Sequence, residues 1–221
     1  MHTRRRDRKR ELLDIAERFF REQNYTNVSL GQVAREAGIR KPTIYHHFPG
    51  GKEELFVAVQ IRMFERVGCE LREAIRESGS ALPEQLHAAA AWFLRHPPMF
   101  ILSMIHNDMS ELSPEGRILL GKASYGLIMG PLMDAVKTAR AAGTVRGVAP
   151  QTVAGAFLAL LESNTIAHRA GFGSGDLTGM MAASVDVILH GVLLHPDGSG
   201  VTGGSPPRYP PGADTAAGRV S

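Results

Sequence analysis

Six basic side chains, Arg4, Arg5, Arg6, Arg8, Lys9 and Arg10, crowd the first ten residues against one acid, Asp7. Fixed positive charge at that density is the chemistry for holding a polyanion, unless it only solubilises a terminus. Residues 1–56 carry 12 basic and 8 acidic side chains and the rest of the chain 13 and 14, so the surplus sits at one end of a chain whose net charge is only +3. Patterns for bond-making chemistry fail one by one. Gly116 to Lys122 matches most of a phosphate loop, but Ala123 stands where a magnesium-binding hydroxyl is needed and no strand precedes it. Gly171 to Gly175 has the glycines of a nucleotide loop without the spacing. Neither His-Glu-x-x-His nor Gly-x-Ser-x-Gly occurs. The lone Cys69 excludes an internal disulfide and a paired-cysteine zinc site. His106, Asp108 and Glu111 fall close together and with His168 form either a weak metal set or a solvated helix end. No enzyme activity and no cofactor are expected.

The elements that must position these groups are helical almost throughout. Leu12, Ile15, Ala16, Phe19 and Phe20 keep helical spacing, as do Val59, Met63, Val67, Leu71 and Ile75. Tyr125, Ile128, Met129, Leu132 and Val136 form a third stripe, Val153, Phe157, Leu160 and Leu161 a fourth, and Met181, Val185, Ile188, Leu189 and Val192 a fifth. Breaks fall at 79–83, 96–98, 113–114, 143–150 and 171–175, where Gly, Pro and Ser collect. No strand alternation appears, so the fold class is all-α. No apolar run approaches the ~18 residues of a membrane span, and no secretory leader is evident, so a cytoplasmic location is the default. Residues 196–221 hold six glycines and five prolines, a composition expected to stay disordered.

Residues 28–38 read V-S-L-G-Q-V-A-R-E-A-G. Ser29 suits an N-cap with Gln32 completing a capping box, and Val28 and Val33 form a hydrophobic staple. Gly38 can take positive φ and end the helix, and Pro42 suits the first turn of the next one. Two short helices across a tight glycine turn make a helix-turn-helix, whose second helix enters a DNA major groove.

From Tyr25 to Leu55 the sequence closely resembles the DNA-binding signature of the tetracycline-repressor (TetR) family. The matching positions are Val33-Ala34, the Ala37-Gly38 turn, Thr43 with Tyr45, and the Tyr-x-x-Phe-Pro-x-x-Lys-Glu run that ends in Leu55. The resemblance implies that Thr43, Tyr45 and His46 face DNA, that Lys52 and the helix start at Ser29 meet phosphates, and that Arg4, Arg5, Arg6 and their basic neighbours supply attraction or a minor-groove arm. Gly31 stands where family members often carry a polar contact, which shifts readout toward Arg40, Lys41 and the third helix. The domains expected are a basic arm at 1–10, a DNA-binding domain at 11–56, a ligand-binding and dimerisation domain at 57–195 and a tail at 196–221.

The resemblance also implies a homodimer on a palindromic stretch of double-stranded DNA, paired through the last two helices at about 150–170 and 176–194. Ala154, Gly155, Ala156 and Ala159 are small enough for close helix approach. The expected activity is that of a regulator, more a repressor than an activator, released from DNA by a small apolar or amphipathic effector. Met63, Phe64, Trp92, Phe100, Met104, Met129, Met133 and Phe157 either line its pocket or are plain core. Asn164 and His168 continue an apolar stripe and would need polar partners from a ligand or a dimer mate. Two other classes of reading are a helical enzyme with a relict motif and a sequence-blind architectural DNA binder; salt-dependent, palindrome-specific binding separates them from a regulator.

Overall fold

The computed structural model describes residues 2–96, 111–172 and 176–192, with the first five as backbone. Its order is α1 His2–Asn27, α2 Leu30–Glu36, α3 Lys41–His47, α4 Gly51–Glu77, α5 Leu82–Arg95, α6 Pro114–Ser124, a π-helical turn Tyr125–Met129, α7 Gly130–Ala141, α8 Pro150–Arg169 and α9 Leu177–Val192. The fold is all-α, with no strand among the described residues. The expected tail, Phe100, Met104, His106 and Asp108 lie outside the described residues. Residues 2–10, expected as an arm, continue into α1 as one helix. That helix breaks at Asn24, whose φ of 61° asparagine tolerates better than most residues.

Local chemistry builds the first three helices as the sequence predicts. Ser29 accepts from the Gln32 amide at 3.3 Å while the Gln32 side chain accepts from the Ser29 amide at 2.7 Å. Val28 and Val33 are both buried beside this cap. Gly38 adopts φ 62°, and the Ile39 amide donates back to the Ala34 carbonyl at 2.9 Å, closing a Schellman turn. Leu12, Ala16, Phe20, Val33, Ile44, Phe48 and Leu55 then form the N-terminal part of the continuous buried core.

α4 ties that part to the rest. Its N-terminal half packs on α1, where Phe56 meets Phe20 edge-on at 4.9 Å and Tyr25 at 4.8 Å. Glu17 on α1 receives Arg62 at 2.6 Å and Arg66 at 2.7 Å, and Arg62 also reaches Asp14 at 2.7 Å. Burial raises the Glu17 carboxyl pKa, but hydrogen bonds and charge from Arg66 and Arg62 outweigh it and hold the group below its ordinary 4.5. Farther along, Gly68 meets the backbone of the π-turn: a Cβ there would overlap the Leu127 carbonyl oxygen.

One expected stripe is altered. Ile128, Leu132 and Val136 are buried, but Tyr125 is half-exposed. The π-turn widens the helix at that point and changes the angular phase, so Tyr125 rotates away from the face that its α-helical spacing predicts.

A carboxyl depressed in the folded state stabilises above its unfolded pKa and loses that effect as pH falls through its folded value. Wild type should therefore exceed Glu17→Gln in stability at pH 7 by up to about 1 kcal/mol, since the network is partly solvated. That gap should close below about pH 4.5 in urea melts; a gap independent of pH would contradict the account. Gly68→Ala should destabilise by about 1–3 kcal/mol through overpacking against backbone, read as a lowered Tm. An unchanged Tm would mean that the α4 contact with the π-turn is not tight.

Candidate nucleic-acid interface

α3 is short, and its two faces divide cleanly. Ile44 and Phe48 are fully buried, while Tyr45 and His46, together with Arg40, Lys41 and Pro42 at the start of the helix, are exposed and Thr43 is half-buried. Helical spacing alone forces this split: anchoring Ile44 and Phe48 one turn apart leaves Tyr45 and His46 pointing outward. Arg40 is the N-cap and forms no side-chain cap, so its guanidinium is not engaged in holding the helix start. A helix presenting Lys41, Thr43, Tyr45 and His46, with cations at one end, suits a major groove: phosphates attract the cations and base edges meet the hydroxyls and imidazole.

The turn after α3 fixes the presentation. Gly51 adopts φ 70°, and a Cβ there would lie 3.3 Å from Cε1 of Tyr45, so the tyrosine ring rests against the glycine backbone. The Gly50 amide donates to Glu54 at 2.7 Å, closing the start of α4. Lys9 on α1 lies 5.2 Å from the centre of the Phe48 ring, which brings one member of the basic segment beside the end of α3. Sequence reasoning had no signal for that contact.

Other predicted residues are distributed less uniformly. Ser29 is exposed but its hydroxyl is engaged as the cap of α2. Lys52, expected at a phosphate, donates to the Thr26 carbonyl at 3.1 Å and lies 4.4 Å over the Tyr25 ring. Burial lowers its pKa, with Glu111 opposing. A phosphate contact would thus draw on an ammonium already partly coordinated. At Gly31 a Cβ would meet only Ser29 Oγ at 3.8 Å, so the missing polar contact reflects the residue type rather than lack of room.

The two modules meet at a carboxylate. Glu53, in the first turn of α4, accepts from the Ser113 amide at 3.1 Å and from the Ser113 hydroxyl. That hydroxyl in turn accepts from the Gly116 amide at 3.1 Å, capping α6. A Cβ at Gly116 would collide with Glu53 Oε1. The phosphate-loop lookalike at 116–122 is therefore a helix whose first glycine leaves room for an acid.

The candidate effector residues are scattered. Trp92 and Phe157 are buried and Met63, Met129 and Met133 half-buried. Trp92 abuts Phe93 at 5.1 Å, which reaches Phe157 at 6.3 Å, while Met129 packs near Gly155. Asn164 donates to the Met180 carbonyl at 3.0 Å and to Ser184 Oγ at 2.8 Å, so α9 of the same chain satisfies its amide nitrogen without ligand or dimer mate. His168, one turn on, is exposed: Asn164 already stands opposite Met180, near the start of α9, and nothing of that helix extends to cover His168. Among the described residues no group of three His, Cys, Asp or Glu side chains forms a metal site.

Residues 12–59 match the model of the bacterial regulatory proteins of the tetR family. The HTH-type transcriptional regulator BetI of Brucella canis is 34% identical over 73 residues, 33% of this chain and 36% of its own length. LmrA of Bacillus subtilis, also an HTH-type transcriptional regulator, is 38% identical over 61 residues, 28% of this chain and 32% of its own. This chain thus matches only about a third of the length of these curated relatives. Similarity of fold extends much further. The reduced form of Escherichia coli NemR superposes with a TM-score of 0.65 at 20% identity, over 82% of this chain and 96% of its own. The fatty acid degradation regulator FadR of Bacillus halodurans gives 0.63 at 16%, over 82% and 94%.

Glu53→Ala and Ser113→Ala should each destabilise by about 1–2 kcal/mol. Because both remove one shared junction, a double-mutant cycle should return a coupling of about 1 kcal/mol. Strictly additive losses would show that the carboxylate does not join the modules.

Proposed function

Since this chain belongs to the TetR family of transcriptional regulators, we propose that it is a cytoplasmic repressor that binds a palindromic operator as a homodimer and leaves it when a small effector binds. One observation carries the reading. α3 is locked by the buried Ile44 and Phe48, and it turns Tyr45, His46 and Lys41 outward as a rigid set. Rigid presentation lowers the entropy lost on docking into a groove.

A second copy has a suitable surface. On α8 the exposed Ala156, Ala159, Ser163 and Ile166 share one side, and on α9 the exposed Ala183, Val187 and His190 do. Ile166 and Val187 are large apolar groups at 49% and 68% exposure, which pairing would withdraw from water. Such pairing sets two recognition helices about one DNA turn apart. Effector binding would act by favouring an arrangement in which they no longer match successive grooves.

The test is selection of genomic fragments by the purified chain, with Tyr45→Ala run in parallel. Wild type should enrich one palindrome. Tyr45→Ala should bind it at least about tenfold more weakly, one base-edge contact being worth roughly 1–3 kcal/mol, while light scattering still reports a dimer. Binding without enrichment would favour an architectural role, and unchanged affinity of the variant would remove α3 from the interface.

A further inference from the structure

Gln60 lies in the middle of α4 at 8% exposure, and its Oε1 is buried with no hydrogen-bond partner. A buried amide oxygen left unpaired weakens the fold, and the great majority of such atoms in proteins are satisfied. Its position explains what the atom is for. Seven residues after Glu53, it lies within about 20° of that carboxylate around the helix axis and about 10 Å farther along. It therefore lies on the side of α4 that Glu53 turns toward its neighbour, the segment formed by α6 and the π-turn. That neighbour is pinned to α4 at two points: Glu53 holds Ser113 and Gly116 at one end, and Gly68 abuts the Leu127 carbonyl at the other. Along α4, Gln60 lies between these two contacts, and its Oε1 receives no hydrogen bond from either side. One turn to either side stand Phe56 and Phe64, at 1% and 0% exposure.

We propose that the Gln60 side-chain oxygen is the polar anchor of the effector site, accepting a hydrogen bond from the hydroxyl or amine of a small aromatic molecule held between α4 and the α6 and π-turn segment. The proposal rests on the effector-released reading given above and names the chemistry of its ligand. The carbonyl oxygen demands a donor. Phe64, fully buried one turn on, favours an apolar, ring-bearing body, since a strongly hydrated ligand would lose its water there without replacement. A ligand of this kind satisfies the one side-chain acceptor that the described core leaves open, and it does so at the helix whose first turn carries the Glu53 junction to the DNA-binding module.

The experiment is calorimetric titration of the full chain, without DNA, with 1-naphthol and with 1-methylnaphthalene, which replaces the donor by a methyl of similar size. Wild type should bind the naphthol at least about tenfold more tightly, as expected for pairing a buried acceptor. Gln60→Leu should bind the two equally, and Gln60→Met serves if the leucine variant does not fold. Equal affinities in wild type, failure of both to bind, or a preference kept by the variants would overturn the anchor. Repeating the titration with the selected operator separates the two readings. Naphthol that binds through Gln60 yet leaves operator affinity unchanged would refute release by effector while the anchor stands. Operator binding with no naphthol preference would refute the anchor alone.

Discussion

One uninterrupted helix, α4, belongs to both modules, and the rest of the molecule is arranged around that constraint. Its 27 residues span about 40 Å. Its first turn closes the DNA-reading core through Leu55 and Phe56, and its later turns, through Phe64, Val67 and Leu71, are the wall on which the larger bundle packs. A hydrogen-bonded helix of this length moves as a rod, so a displacement at one end is felt at the other. α3 joins this rod through the turn at Gly50 and Gly51 and shares its core with α1 and α2 through Ile44 and Phe48.

The contacts along this rod differ in kind, and the difference matters for how a signal could pass. Between α1 and α4 the joint is an aromatic cluster sealed by Arg62, Arg66, Glu17 and Asp14, two-sided and partly dry. It is suited to holding the reader and the rod as one body. Between α4 and α6 the packed contact also carries a carboxylate on a serine cap, whose few directional bonds a small shift can lengthen.

The larger bundle has its own economy. Gly68 lets α4 and the π-turn touch backbone to backbone, and the widened turn moves Tyr125 outward while keeping Ile128 and Leu132 inside. π-turns survive where a local function compensates their poorer geometry. Here the turn lies against Gly68, eight residues beyond Gln60 on α4.

The all-α class and the helix-turn-helix were legible in the residues alone, while the expectation of which side chains its second helix turns to DNA came from the family resemblance. Capping boxes and positive-φ glycines act over a few positions, so Ser29, Gln32 and Gly38 declare their roles without knowledge of the rest. The tertiary structure alone decided what depends on residues far apart in the chain. Glu53 and Ser113 are sixty residues apart, and no periodicity announces that one caps the other. Asn164 on its stripe looked as if it needed an outside partner, and the register of α9 supplied one; His168 on the same stripe ended in solvent because that register ran out. A helical pattern reports which face of a rod is apolar, but not which neighbour covers it, how closely, or where a polar atom is left unanswered. Those follow from crossing angles and helix ends, quantities that exist only once the rods are packed.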